Sequence, residues 1–335
     1  MDAIGIASAL DYALEHDLPT MLWGDTGIGK TDLVKQAGAR AGRQVRTITP
    51  ATYESVDLRG LPVDRGDRVD WTRPDFVADL FNMGAEPVLF VDEINTNKAL
   101  EVPLMQLILT RSIGPHKLPE GTRIVCAGNR TTDRAAAQRM GKALEDRLFH
   151  LDYEASLDSW LPWAATNGVH PAIIAFLRWR GKDSPGRPGL FIWRSKESQD
   201  MRSRPGPRAW AACSPVVDAP AALRFAFMSG RVGEAAAVEF EGFLDVWKNL
   251  PPIPQIIAKP DTCKIPSELS LQYAVSVALG HAADPVNIAA ICQYMGRVGA
   301  EFQTVTMTDA VRRRADIAET PAYIRWAAQN SHLAI

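Results

Sequence analysis

Eight residues near the start of the sequence, Gly24, Asp25, Thr26, Gly27, Ile28, Gly29, Lys30 and Thr31, follow the spacing G-x-x-x-x-G-K-[ST]. Glycines so spaced let successive backbone N–H groups curl around phosphate oxygens, at the positive end of the helix that follows. In such a loop Lys30 neutralises the β and γ phosphates, Thr31 ligates Mg²⁺, and Asp32 adjoins the pocket. The ligand this chemistry suits is ATP with Mg²⁺.

A second group lies about sixty residues on. Val88, Leu89, Phe90 and Val91 form an apolar run that ends in Asp92 and Glu93, an acidic pair where strand ends of a parallel sheet face a ligand crevice. There Asp92 would hold Mg²⁺ beside Thr31, and Glu93 would polarise an attacking water. Taken alone, the pair reads better as the cap of the next helix, and it is the glycine loop about sixty residues before it that turns the preference to cation binding. Asn129 follows a third apolar run at 123–127 and could orient water or touch the γ phosphate, although an Asn after a strand is usually a turn residue.

These residues need a frame to hold them. Ile4, Ala7, Leu10 and Leu14 recur at helical spacing, and Thr20, Met21, Leu22 and Trp23 make a short strand-like run before the glycines. Leu33, Ala37 and Ala41 mark the buried stripe of the next helix, and residues 44–48 read as a strand. Strand, loop, helix and strand in that order make a βαβ unit of a parallel sheet. Further strands are expected at 88–91 and 123–127, with a helix over 101–110 showing Val102, Met105 and Leu109 on one stripe and Pro103 in its first turn. A hairpin is expected near 63–71, and 111–122 reads as a second excursion. From about residue 154 strand-like runs give way to helical patterns, such as Ile173, Phe176 and Leu177, or Val238, Phe243, Val246 and Trp247.

The loop at 24–31, Asp92 with Glu93, Asn129 and the later arginines together resemble the AAA+ ATPases, and within them the MoxR-like branch. The similarity is carried by residues 90–95, 127–129, 144–149 and 206–209, within a region covering most of 1–250. It implies an α/β fold: a P-loop NTPase (AAA+) αβα core with a parallel sheet over 1–153, a helical lid over 154–250, and a helical C-terminal extension over 251–335. It also implies a ring, usually hexameric, with ATP between neighbouring subunits. In that scheme Arg147 is a finger reaching a neighbour's γ phosphate, and Arg208 is the sensor-2 arginine of the lid. A surface ion pair with Glu145 or Asp146 is the alternative for Arg147, and Arg130, Arg134 and Arg139 compete for the finger role. The implied activity is ATP-driven remodelling of a client protein, with a von Willebrand factor A-type partner, and in the family the two hairpin insertions project from the ring and contact substrate. Ordinary surface loops are the plainer reading of those insertions.

Between 178 and 208 nine Lys or Arg stand against three Asp or Glu, interleaved with Trp179, Phe191 and Trp193. That pattern suits a nucleic-acid motor stacking bases, but a lid loop that packs its aromatics inward and solvates its arginines is the favoured reading. A third reading is a nucleotide-gated assembly scaffold with little turnover. The formal net charge of −2 supplies no global field towards nucleic acid or an acidic membrane. Cys126, Cys213, Cys263 and Cys292 lie far apart without a CxxC pair, which argues for reduced, buried thiols rather than zinc or disulfides. With no basic and apolar leader and no membrane-length apolar run, the expected location is cytoplasmic.

Overall fold

The computed structural model describes residues 1–84, 86–130, 138–184, 187–192 and 203–331, which divide into two compact units, Met1–Ser156 and Leu157–Ile335. In the first unit, amphipathic helices alternate with short apolar strands, and each strand must cover both of its faces. The chain runs α1 (Ala3–Glu15), β1 (Thr20–Trp23), α2 (Lys30–Arg40), β2 (Val45–Ile48), α3 (Ser55–Arg59), β3 (Pro62–Asp64), β4 (Val69–Trp71) and α4 (Asp75–Asn82). It continues through β5 (Val88–Val91), α5 (Glu101–Thr110), β6 (Ser112–Ile113), β7 (His116–Lys117), β8 (Arg123–Gly128), α6 (Lys142–Glu145) and β9 (Phe149–Asp152).

Five strands form one parallel sheet in the order β2-β5-β8-β1-β9. Strand β8 is therefore wedged between the strand that precedes the glycine loop and the strand that ends in Asp92, with Thr20 level with Val125 and Val88 level with Arg123. Met21, Leu89, Val91, Ile124 and Cys126 share one core with Phe76, Leu80, Leu104 and Leu107. The alternation of a strand sends Leu22, Phe90 and Val125 to the opposite face, and all three are buried.

The expected hairpin near 63–71 is the antiparallel β3–β4 pair, and β6–β7 forms a second one inside 111–122. The His116 imidazole meets the Thr72 carbonyl at 3.0 Å, so the two excursions lie side by side. Several details differ from expectation, among them Ala41, which follows α2 and is exposed instead of continuing its buried stripe. Strand β9 was not anticipated, because Phe149, His150 and Asp152 are exposed on the sheet edge and leave no apolar run to read. Helix α5 buries Pro103, Leu104, Leu107 and Ile108 while Val102 and Leu109 face outward; it is apolar on nearly every side, so spacing could not select its inner face. Helix α1 likewise buries Ile6, Leu10, Ala13 and Leu14 and leaves Ile4 exposed.

The second unit is helical: α7 (Leu157–Thr166), α8 (Pro171–Arg180), α9 (Pro207–Ala212), α10 (Ala221–Val232), α11 (Glu234–Lys248), α12 (Ile253–Ala258), α13 (Leu269–Ala282), α14 (Ile288–Met295), α15 (Ala300–Arg313) and α16 (Pro321–Gln329). Its first core centres on Phe176, which packs against Trp210, Phe240 and Phe243 at ring separations of 5.3–5.5 Å. In α11 the inner residues are Ala236, Ala237, Phe240, Phe243 and Leu244, with Val238 outside. A second core gathers Ile256, Ile288, Ile291, Tyr294, Phe302, Met307 and Trp326. Helix α13 serves both, giving Ala274 and Val277 to the first and Val275 and Leu279 to the second. No helix among the described residues is long and apolar enough to cross a membrane.

Candidate nucleotide-binding site

Strand β1 delivers the chain to Gly24, and α2 carries it away from Lys30 and Thr31. Between them Gly27 and Gly29 adopt φ of +78° and +101°, the left-handed backbone that glycine enters without a Cβ penalty. Gly29 is also the residue preceding α2, so the first unpaired N–H groups of an eleven-residue helix open onto the loop. Asp25 accepts from the Thr26 N–H at 2.7 Å and Asp32 stands exposed in the first turn of α2. Tyr153, directly after β9, holds the loop from its other side: its N–H donates to the Trp23 carbonyl at 2.8 Å and its hydroxyl to the Ile28 carbonyl at 3.0 Å. Burial pushes the Tyr153 phenol up to about 12. Nothing in the sequence marked this tyrosine.

Residues from three strand ends converge on the loop. The buried Lys30 ammonium donates to the Gly24 carbonyl at 2.6 Å, the Asp25 carbonyl at 2.9 Å and Asn129 Oδ1 at 2.8 Å. Thr31 Oγ1 donates to Asp92 Oδ2 at 2.8 Å, and Asp92 Oδ1 accepts the Glu93 N–H at 3.0 Å. Glu93 itself sits at φ +56°, a conformation that costs a non-glycine residue of order 1–3 kcal/mol. Thr96 holds it there, donating to the Glu93 carbonyl from both its N–H, at 3.1 Å, and its hydroxyl, at 2.8 Å. That acidic pair therefore ends in a tight strained turn rather than capping a long helix.

The donor set fits Mg²⁺ and a triphosphate. A hydroxyl and a carboxylate 2.8 Å apart are the hard oxygen ligands that Mg²⁺ takes when phosphate and water complete its shell. Among the described residues no group of three or more His, Cys, Asp or Glu is placed to hold a metal ion. The buried lysine amine already among oxygen acceptors, together with the helix N-terminus, supplies the matching positive charge.

The arginines are more dispersed. Arg147 is exposed after α6 and donates to the Ala143 carbonyl, while Asp146 pairs with Lys142 at 2.7 Å. Arg130 pairs with Asp152, and the exposed Arg139 offers its carbonyl to Lys98 at 3.0 Å. Arg134 lies outside the described residues. In the second unit Arg208 is exposed near the start of α9. Of the basic stretch at 178–208, Arg178 binds Asp309 at 2.6 Å, Arg180 and Arg187 share Glu239, and Lys182 pairs with Asp158. Trp179 stacks on Phe243 and Phe191 is buried, so these aromatics pack inward; Arg178 and Arg180 are withdrawn into ion pairs, while Arg187 makes its pair from the exposed surface. Trp193, Arg194, Lys196 and Arg202 lie outside the described residues.

The strand order and the loop define an αβα P-loop fold with a five-stranded parallel sheet, followed by a helical region. Neither a family model nor a curated protein matches the chain. Among solved structures, the Thermotoga maritima RuvB Holliday junction branch migration motor is similar over 98% of this chain and 86% of its own, at 16% identity and a TM-score of 0.40. NtrX from Brucella abortus in complex with ADP is similar over 99% and 67%, at 13% identity and a TM-score of 0.40. Likeness at that level carries no argument, and the fold rests on this chain's own strand order.

Proposed function

We propose that this chain is an ATP-hydrolysing AAA+ ring subunit of the MoxR-like type that remodels a client protein. One observation carries the reading: Lys30 meets Asn129, 99 positions away, while Thr31 meets Asp92, each at 2.8 Å, a convergence that suits phosphate and a cation in one place. ATP with Mg²⁺, when bound, supplies the γ-phosphoryl group and the charge that shields it. The chain's own residues do the rest. The loop N–H groups and Lys30 bind phosphate oxygens, and the Thr31 hydroxyl and Asp92 carboxylate hold the cation. Glu93, on its strained turn, orients the attacking water and accepts its proton, and Asn129 sets the far wall of the pocket.

Arg147 and Arg208 take the roles of trans finger and lid arginine, with 1–153, 154–250 and 251–335 as core, lid and extension. Exposure of Arg147 suits reach to a neighbour in a hexameric ring, and Val69 and Trp71, exposed on the β3–β4 hairpin, suit contact with a client. A von Willebrand factor A-type partner belongs to the same proposal. The test is ATP turnover by the purified chain with Mg²⁺. Glu93→Gln should retain nucleotide and lose turnover by about 10²-fold or more, and mixing Arg147→Ala subunits into wild-type rings should lower activity more than dilution alone. Absence of turnover in the wild type, with no nucleotide trapped by Glu93→Gln, would sink the proposal.

A further inference from the structure

The geometry points to Asn95 as a positioning residue for hydrolysis, one whose amide locks the turn bearing Glu93 to the turn bearing Asn129; this rests on the hydrolytic reading above. Asn95 is buried two residues after Glu93. Its Nδ2 donates to the Asn129 carbonyl at 2.9 Å and to the Gln138 carbonyl at 3.0 Å, using both of its hydrogens. The Gln138 N–H returns a bond to the Asn95 carbonyl at 2.9 Å, and the neighbouring Ile94 N–H donates to the Ala127 carbonyl at 2.9 Å. One side chain thus grips two backbone points nine residues apart, and its own backbone grips the same stretch.

Gly128 permits the approach. A Cβ at that position would lie 2.5 Å from Asn95 Oδ1 and 2.6 Å from the Met21 Cε, so a side chain there would push the amide away. Asn95 Oδ1 is itself buried without a hydrogen-bond partner. An apolar side chain would avoid that unmet acceptor. What the amide adds is two donors aimed at the Asn129 and Gln138 carbonyls. Because the Asn129 side chain in turn accepts from Lys30, the chain of contacts runs from the Glu93 turn through Asn95 and Asn129 to the phosphate-binding lysine. Its consequence is a set distance between the carboxylate that handles water and the groups that handle phosphate.

Three variants of the full chain test this: Asn95→Ala deletes the donors, Asn95→Asp keeps the size but turns donors into acceptors facing two carbonyls, and Gly128→Ala displaces the amide while leaving it intact. Each should lower kcat at least ~10-fold, since small misplacements are costly in catalysis, with the Kd for Mg-ATP within about threefold of wild type. Amide exchange at Gln138 should accelerate in Asn95→Ala. Gly128→Ala and Asn95→Asp carry the test if Asn95→Ala does not fold. The inference is overturned if Asn95→Ala keeps kcat within about twofold of wild type, if Kd rises in proportion to the loss, or if Gln138 exchange is unchanged. A wild-type chain without turnover would instead remove the hydrolytic reading and this role with it, whereas wild-type turnover that survives Asn95→Ala removes this role alone.

Discussion

Both units bury cations, and they treat them differently. In Met1–Ser156 the buried Lys30 ammonium meets main-chain carbonyls and an amide at the mouth of a sheet. In Leu157–Ile335 guanidinium groups meet carboxylates between helices: the half-buried Arg178 with the buried Asp309, the buried Arg180 with Glu239, and the buried Arg224 with Glu241, the last pair held by two bonds of 2.7 Å. The bonds from Lys30 to main-chain carbonyls and an amide are ones that phosphate oxygens can replace, whereas a guanidinium closed on a carboxylate between helices is fixed there. Residue type and burial alone therefore do not separate a binding charge from a structural one; the chemistry of the acceptor does.

The comparison breaks if function and stability fail to separate. Lys30→Met should lower turnover by about 10²–10³-fold, the scale of losing one preorganised charge donor, with thermal stability nearly unchanged; a large fall in Tm would make Lys30 a structural cation after all. Arg178→Leu should do the reverse, destabilising the second unit by about 3–5 kcal/mol because Asp309 is left buried and unpaired. Asp309 is already raised by burial, which Arg178 offsets. A raised carboxyl contributes stability at pH below its unfolded value and loses it as pH rises through the folded value. The variant should thus recover towards wild type as pH falls, and Arg178→Leu with Asp309→Leu should restore most of the loss, both read from denaturant midpoints.

Smaller effects sharpen the contrast. Tyr153→Phe removes one hydrogen bond beneath the loop, worth about 1 kcal/mol, and should weaken Mg-ATP binding several-fold without abolishing turnover. Since the phenol stands at about 12, its contribution holds below the unfolded value near 10 and fades as pH climbs through 12, a loss the Phe variant should not show. In the second unit His170 caps α8, its Nδ1 accepting the Ala172 N–H at 3.0 Å, and lines a cleft of about 540 Å³ with His281 and Arg313. Burial lowers its pKa against the pull of Asp218. Stability from such a group is present above 6.5 and lost as pH falls below it. His170→Asn keeps a capping acceptor that does not titrate, and should blunt the acid-side fall in Tm by ~2 °C.

Much of the site was legible because it is local in sequence. The glycine spacing, the apolar run into Asp92 and Glu93, and the run into Asn129 each announce a strand end, and a parallel sheet places its strand ends along one edge. Less legible were elements whose partners are distant. Strand β9 is an exposed edge whose identity comes from pairing with β1, and α5 is apolar all round, so only the sheet beneath it selects the inner face. Arg178 and Arg180 read as a basic patch because Asp309 and Glu239 stand 131 and 59 residues away.

By itself, then, the sequence determined which residues carry the chemistry proposed here for phosphate and a cation, since that chemistry is written in side-chain type and short-range backbone freedom. Only the tertiary structure decided which oxygens each buried charge meets, that β8 lies between β1 and β5, and that Asn95 reaches Asn129. Those are contacts between strands and loops far apart in the chain, and their free energy exists only once the sheet has closed.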